Sequence, residues 1–389
     1  MSERGVDGRT ARERITERFR CFAGLSATRW LAASFAVLSV LSLSVPPYGP
    51  ARGGFSDHYA HMNAARLFPR MRTKFWTTPI DDFVPVASDS QTRLAPADLQ
   101  GLGGLRAVPG WPVDKPFVGG WTHIAQPYPP GEILLMAPLA LAYHFTALSF
   151  TMVCHALILW FLLASHAALW LVLRNTPEQG RAFYLGCALA AFGYVVFWTL
   201  RGFYDAAAMA PAIWAGACIG RRRWLAACVA LSCAFFIHFR AMFYLPWALL
   251  AVTELLQARA WRSWEGREWV AVALAVALAA SSAYTLILVS PTLGQLPLAN
   301  PIHPGDVSVL PVTVFAVSAC IAAGLFLREQ AYFDGALLLW MTLMLISIRQ
   351  LQMWHPFMLL PWVFAPARST LVRFARVEWL VVLTVAVIL

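Results

Sequence analysis

The sequence predicts an all-α fold, a polytopic transmembrane helical bundle of about ten or eleven spans with a long outer-face loop containing interfacial helices. Three observations predict it. Apolar residues fill 59% of the 389 positions and charged residues only 13%, with a mean hydropathy of +0.60, which excludes a soluble globular domain. Apolar runs recur from residue 30 to the end, several near the roughly 20 residues that cross about 30 Å of hydrocarbon. The third observation is where the positive charge lies. The formal net charge of +10 comes almost wholly from arginine, Lys74 and Lys115 being the only lysines.

Residues 1–29 form a basic tail with Arg4, Arg9, Arg12, Arg14, Arg18, Arg20 and Arg29. The apolar stretch 30–46 follows. A secretory signal has a comparable basic start, but its cleavage site would come after the apolar stretch. No convincing small-x-small site precedes the Pro46-Pro47 break, so the expectation is a retained first span with a cytoplasmic amino end. Residues 47–130 make the longest polar loop, and 30–389 reads as one transmembrane module that includes it. Further apolar runs lie at 131–148, 149–173, 182–200, 203–220, 224–239, 241–258, 269–289, 309–327, 335–348, 354–366 and 377–389.

Arginine placement orients these runs. If 131–148 lies at or dips into the outer face without crossing, nineteen arginines share one side: the tail and segments 174–181, 221–223, 259–267, 328–334 and 367–376. The short loops opposite hold only Arg201, Arg240 and Arg349. If 131–148 crossed, every loop after it would switch sides, and of their arginines twelve would face outward and three inward, against the positive-inside bias. The first arrangement gives ten spans, with the short 377–389 run as an eleventh. It implies a multi-pass protein of the inner or plasma membrane, with its amino terminus cytoplasmic and its candidate site extracytoplasmic. The arginine excess thus reports sidedness, and no nucleic-acid partner is expected. The seven cysteines all fall outside the long loop, so no disulfide framework is implied. No internal repeat, heptad or inverted pair of broken helices stands out.

This topology gathers the unusual residues on the outer face. They are Asp57, His58 and His61; Tyr128-Pro129-Pro130-Gly131-Glu132; Arg201, Tyr204 and Asp205; His238 and Arg240; His303 and Asp306; and Arg349, Gln350 and His355. The opposite loops mix arginines with Glu178, Glu254, Glu265, Glu268 and Glu329, and these read as anchoring charges. Ionisable groups near hydrocarbon are costly, so they tend to persist where they bind or react. Phe55, Tyr59 and Met62 mark a helical apolar stripe, and Asp57 and His61, four apart, share a second face. That face either presents a carboxylate and an imidazole or is simply solvated, and Ser56-Asp57 also suits a helix cap.

Gln126-Pro127-Tyr128-Pro129-Pro130-Gly131 is stiff and extended, because proline fixes φ and biases the preceding residue away from helix. It either starts a helix or aims that helix's amino end at an anion. A guanidinium suits phosphate oxygens, so Arg201, Arg240 and Arg349 together would fit a phosphorylated lipid headgroup. Singly, each would also serve by snorkelling to the interface. His238, His303 and His355 are isolated. No HExxH, CxxC or clustered His/carboxylate spacing implies a metal, and no Walker loop or GxGxxG implies a nucleotide cofactor.

These features together resemble the GT-C superfamily of membrane glycosyltransferases, which includes protein O-mannosyltransferases and bacterial aminoarabinose transferases. The resemblance is carried by one span followed by a long outer loop opening Ser56-Asp57-His58-Tyr59, by Tyr128-Pro129-Pro130-Gly131 entering an apolar segment, and by Arg201-Gly202-Phe203-Tyr204-Asp205. His58 stands where several members have another residue. The resemblance implies transfer of a sugar from a polyprenyl-phosphate donor to an acceptor glycan, lipid or protein on the outer face; from the motifs above no cofactor is expected, with a weakly bound divalent metal left open. Asp57 would take the proton of the attacking hydroxyl, and arginines would stabilise the departing phosphate. The candidate catalytic residues are Asp57, His58 and Asp205. The candidate substrate contacts are His61, Tyr128, Arg201, Tyr204, His238, Arg240, Arg349, Gln350 and His355. Two other classes compete. A transporter or flippase for a lipid-linked sugar would carry polar residues through the middle of several spans, and an O-antigen-type polymer ligase would carry its long loop late in the chain.

Overall fold

The computed structural model describes residues 27–44, 68, 74–77, 129–145, eleven positions between 152 and 170, 208–293, 309–348, 359–365, 367 and 369–388. Every regular element among them is helical, as the apolar runs predict. α1 is Ala27–Ser44 and α2 is the single turn Lys74–Thr77. α3, Pro130–Phe145, starts on a proline, whose missing N–H is one that a first turn cannot use anyway. Pro138 sits inside α3 and removes one of its backbone hydrogen bonds.

α4 (Met209–Gly220) and α5 (Trp224–Ile237) form a hairpin through the turn at 221–223. Their buried faces are lined by small residues: Ala212, Ala215 and Gly216 on α4, and Ala227, Ala230 and Ala234 on α5. Small side chains let helix backbones approach closely, which drives packing where there is no water to expel. A Cβ at Gly216 would stand 3.0 Å from the Trp247 ring and 3.2 Å from Ala365 Cβ, so this position admits the neighbouring indole.

A 3-10 turn, Phe239–Tyr244, leads into α6, Leu245–Gln257. α7, Gly266–Leu293, is the longest described helix at 28 residues, or about 42 Å. α8 (Val309–Arg328) and α9 (Tyr332–Ile348) make a second hairpin, and α11 (Thr370–Ile388) packs along α8. α10 is the short piece Leu360–Phe364. The core joins these elements around Phe243, Tyr244, Phe326, Trp362 and Trp379, the largest fully buried side chains. On the amino-terminal side, Ser34 of α1 bonds His166 Nε2 at 3.0 Å, and His166 Nδ1 lies 2.6 Å from the Leu162 carbonyl. Trp170 Nε1 donates to Thr28 at 3.3 Å, so α1 and the helical residues near 166 run antiparallel.

Among the described residues, two segments are long and apolar enough to cross a membrane by length and composition: Phe239–Gln257, with hydropathy 1.3, and Gly266–Ser290, with hydropathy 2.2. α4 and α5 are apolar but shorter, at 12 and 14 residues. The end of the chain differs from expectation. The apolar run at 377–389 predicts a short last span, whereas α11 begins at Thr370 and takes Arg373 and Arg376 into the helix.

The helix ends fall into two groups. Cys218, Ala227 and Ala251 form one buried cluster, and each lies one or two turns back from a connection, at 221–223 or 258–265. Those two connections therefore share an end. α4, α6 and α8 each finish in a left-handed residue, Arg222 (φ 56°), Arg259 (φ 48°) and Gln330 (φ 54°). At 222 and 330 the following N–H closes a six-residue cap, Arg223 to Cys218 and Ala331 to Phe326, the position usually held by glycine. The far end of α5, about 21 Å away, carries the 3-10 turn.

Candidate functional site

Two of the motifs that the sequence predicts for the outer face lie at that far end. Pro129–Glu132 begins α3 directly against Phe236, near the end of α5. A methyl group at Gly131 would collide with the Phe236 carbonyl oxygen and lie 2.7 Å from its carbonyl carbon. Backbone meets backbone there, so only glycine fits. The Gly131→Ala variant should lose about 1–3 kcal/mol of stability, the usual range for overpacking, with α3 displaced from α5. Thermal unfolding in detergent measures it, and an unchanged midpoint would mean that the two helices do not touch.

Two residues beyond Phe236, the chain leaves helical geometry. His238 adopts φ −152° and ψ 131°, and its Nδ1 accepts from the Arg240 N–H at 3.1 Å. The imidazole thus caps the 3-10 turn. Because Nδ1 is the acceptor, a neutral ring carries its proton on Nε2. The turn itself is held from outside: Trp340 Nε1 donates to the Met242 carbonyl at 2.9 Å, and Tyr244 stacks on Trp247 at 4.7 Å. His238 and Arg240 are half-buried, on a backbone that neighbouring helices fix. Glu132 is 2% exposed in the first turn of α3, where the helix dipole favours a carboxylate.

His238 and Arg240 therefore lie at the same end of α5 as the Pro-Pro-Gly entry of α3, two and four residues beyond the Phe236 contact. The other candidates, Asp57, His58, His61, Tyr128, Arg201, Tyr204, Asp205, Arg349, Gln350 and His355, lie outside the described residues, as do His303 and Asp306. Tyr128 directly precedes Pro129, and Arg349 follows the last residue of α9. Among the described residues no three His, Cys, Asp or Glu side chains gather as a metal site.

The most completely bonded charge cluster among the described residues is one that sequence reasoning missed. Arg376 of α11 donates from Nε to Asp334 Oδ1 at 2.9 Å, and its Nη2 lies 2.6 Å from the same oxygen. Its Nη1 reaches the carbonyls of Trp362 and Ala365 at 3.0 and 2.7 Å, satisfying the carboxyl end of α10. Trp362 Nε1 adds a further bond to Asp334 Oδ1 at 2.8 Å. Asp334 sits in the first turn of α9, so the helix dipole assists it. Arg376 is 4% exposed. Counting it with the anchoring charges of 367–376 was therefore incorrect, because its charge is spent inside the protein. A signal was present: Arg376 lies on the stripe of Val372 and Trp379, both fully buried, at helical spacing. The chain matches no family model, no curated protein and no solved structure.

Proposed function

We propose that this chain is a multi-pass membrane glycosyltransferase that moves a sugar from a polyprenyl-phosphate donor to an acceptor hydroxyl on the extracytoplasmic face. The observation that carries the reading is the contact of Gly131 with Phe236, which sets the entry of α3 at the end of α5 from which His238 and Arg240 follow, two and four residues on. A motif and a cation singled out separately in the sequence thus share one rigid corner, at the end of α5 opposite the arginine-rich turns.

Membrane embedding is supported by exposure. Only 22% of the most apolar stretch of α7 is buried in the protein's own interior, and Val270 and Ile287 are each 68% exposed. The core helix of a soluble protein would be mostly covered. The arginine asymmetry supports the multi-pass arrangement and its orientation. α5 reaches only about 21 Å, so in this arrangement Arg223 and Arg240 bracket it by snorkelling to the two interfaces.

In the proposed reaction the acceptor oxygen bonds to the anomeric carbon as the bond from that carbon to the donor phosphate breaks. Asp57 takes the acceptor proton, and the leaving polyprenyl phosphate gains negative charge. Arg240, with the Nε2–H of His238 beside it, would stabilise that charge, and Arg349 would serve as a second cation. Lysine offers only a point charge in place of the planar fork. Arg240→Lys and Arg349→Lys should therefore each lower kcat/KM for donor by the equivalent of about 2–4 kcal/mol. Donor kinetics in nanodiscs test this, and wild-type values for both variants would leave these arginines as helix anchors.

Transport of a lipid-linked sugar is the second reading, favoured by the polar groups of Ser34–His166 and Asp334–Arg376 inside helices. Each set is bonded to itself, which fits helix pairing better than an open polar path.

A further inference from the structure

We infer that the end of the bundle opposite the candidate site binds an acidic phospholipid between its two arginine-bearing turns. The inference rests on the proposed membrane embedding. Arg222, Arg223, Arg259 and Arg262 come from the α4–α5 turn and the α6–α7 connection, which the Cys218–Ala227–Ala251 cluster brings to one end. All four side chains are exposed, and none forms an ion pair with a described residue. One nearby acid is engaged elsewhere: Glu268 accepts from Arg267 at 2.7 Å and from the Glu265 N–H at 3.1 Å, closing the start of α7. Arg222 and Arg259 also hold left-handed backbone, a conformation that disfavours side chains other than glycine.

What surrounds the cations selects a lipid over a soluble anion. Leu249, Val252 and Leu256 form one exposed stripe of α6, at 60%, 46% and 58% exposure, and it runs toward Arg259. Val270 and Leu274 make a second exposed stripe near the start of α7. The α6–α7 connection and the first turn of α7 also carry Trp261, Trp264 and Trp269, the last two packed edge to face at 5.2 Å. Indole rings prefer the headgroup level of a bilayer. Apolar stripes leading to a connection that carries indoles and guanidinium groups match the acyl chains, glycerol region and phosphate of one phospholipid. Each arginine close to an acidic leaflet contributes about a fivefold preference.

The test uses the purified full chain in detergent with equal amounts of phosphatidylglycerol and phosphatidylcholine, bound lipids being counted by native mass spectrometry. The wild type should retain phosphatidylglycerol preferentially, by at least about tenfold. The preference should vanish when Arg222, Arg223, Arg259 and Arg262 are all changed to Gln, and survive in part when all four are changed to Lys. Changing Arg4, Arg9, Arg12 and Arg14 of the tail to Gln removes the same charge and should leave it intact. Equal loss in the tail variant, or full preference in the four-Gln variant, overturns the inference. So does loss of preference on adding inorganic phosphate, which would mark a free-anion site, or tight binding of heparin with neither lipid retained, which would mark a polyanion surface. Failure of the membrane embedding looks different again: the protein would then be monodisperse without detergent.

Discussion

Asp57→Asn is expected to lower turnover by roughly 10²–10⁴-fold while leaving folding unchanged. The substitution keeps the shape of the side chain and removes the basic oxygen. In the proposed reaction, a hydroxyl attacking an anomeric carbon must lose its proton as the new bond forms, or carry a positive charge through the transition state. Asp57 is the acid proposed for this, because in the proposed topology it opens the outer loop directly beyond the first span. The effect should fall on kcat, because the proton moves only in the reacting state. Donor KM should stay near the wild-type value, since the phosphate contacts lie elsewhere. Near-normal transfer by the variant would move the role to Asp205. A rise in KM with kcat unchanged would make Asp57 a binding residue.

The second large effect is structural. Arg376→Met should destabilise the protein by about 3–5 kcal/mol, because it strands a buried charge. Asp334 would keep only the Trp362 indole among the donors described for Oδ1, and the carbonyls of Trp362 and Ala365 would lose their shared guanidinium. Replacing both partners, as Asp334→Leu with Arg376→Met, should recover much of the loss, since a buried pair is costly to form and costlier to break. Denaturant unfolding in mixed micelles gives the full double-mutant cycle. A cost below about 1 kcal/mol for Arg376→Met is the value for an exposed pair, and would mean that water reaches the guanidinium. Since the pair joins α9, α10 and α11, its loss should loosen the carboxyl-terminal helices before the α4–α5 hairpin.

Helical class and element positions were legible because apolar periodicity dictates them. The run at 203–220 contains Met209–Gly220, and the run at 224–239 contains Trp224–Ile237. Arg221-Arg222-Arg223 marks the turn between them, three consecutive charges being unable to remain in an apolar helix. The beginning of α11 was not legible, because charge alone suggests an exposed segment at 367–376. The Val372–Trp379 stripe places Arg376 on a buried face, but its partner lies 42 positions away, and no local pattern encodes that pairing. At the candidate site, His238 and Arg240 were visible as polar residues between apolar runs. The contact of Gly131 with Phe236, two residues before His238, was not, since a glycine chosen for close approach reads the same as one chosen for a turn. The capping role of His238 was hidden for a similar reason: an isolated imidazole gives no sign of whether backbone or substrate holds it.

The central claim is sugar transfer from a lipid phosphate, and a purified-protein transfer assay tests it most directly. The full chain in nanodiscs would be given a panel of radiolabelled polyprenyl-phosphate sugars and a mixed envelope extract as acceptor. The account predicts label leaving the polyprenyl fraction for an acceptor, with free polyprenyl phosphate released in equal amount and both processes lost in Asp57→Asn. Label crossing a sealed proteoliposome bilayer while still attached to polyprenyl phosphate, at the same rate in wild type and Asp57→Asn, would contradict it and make the chain a transporter.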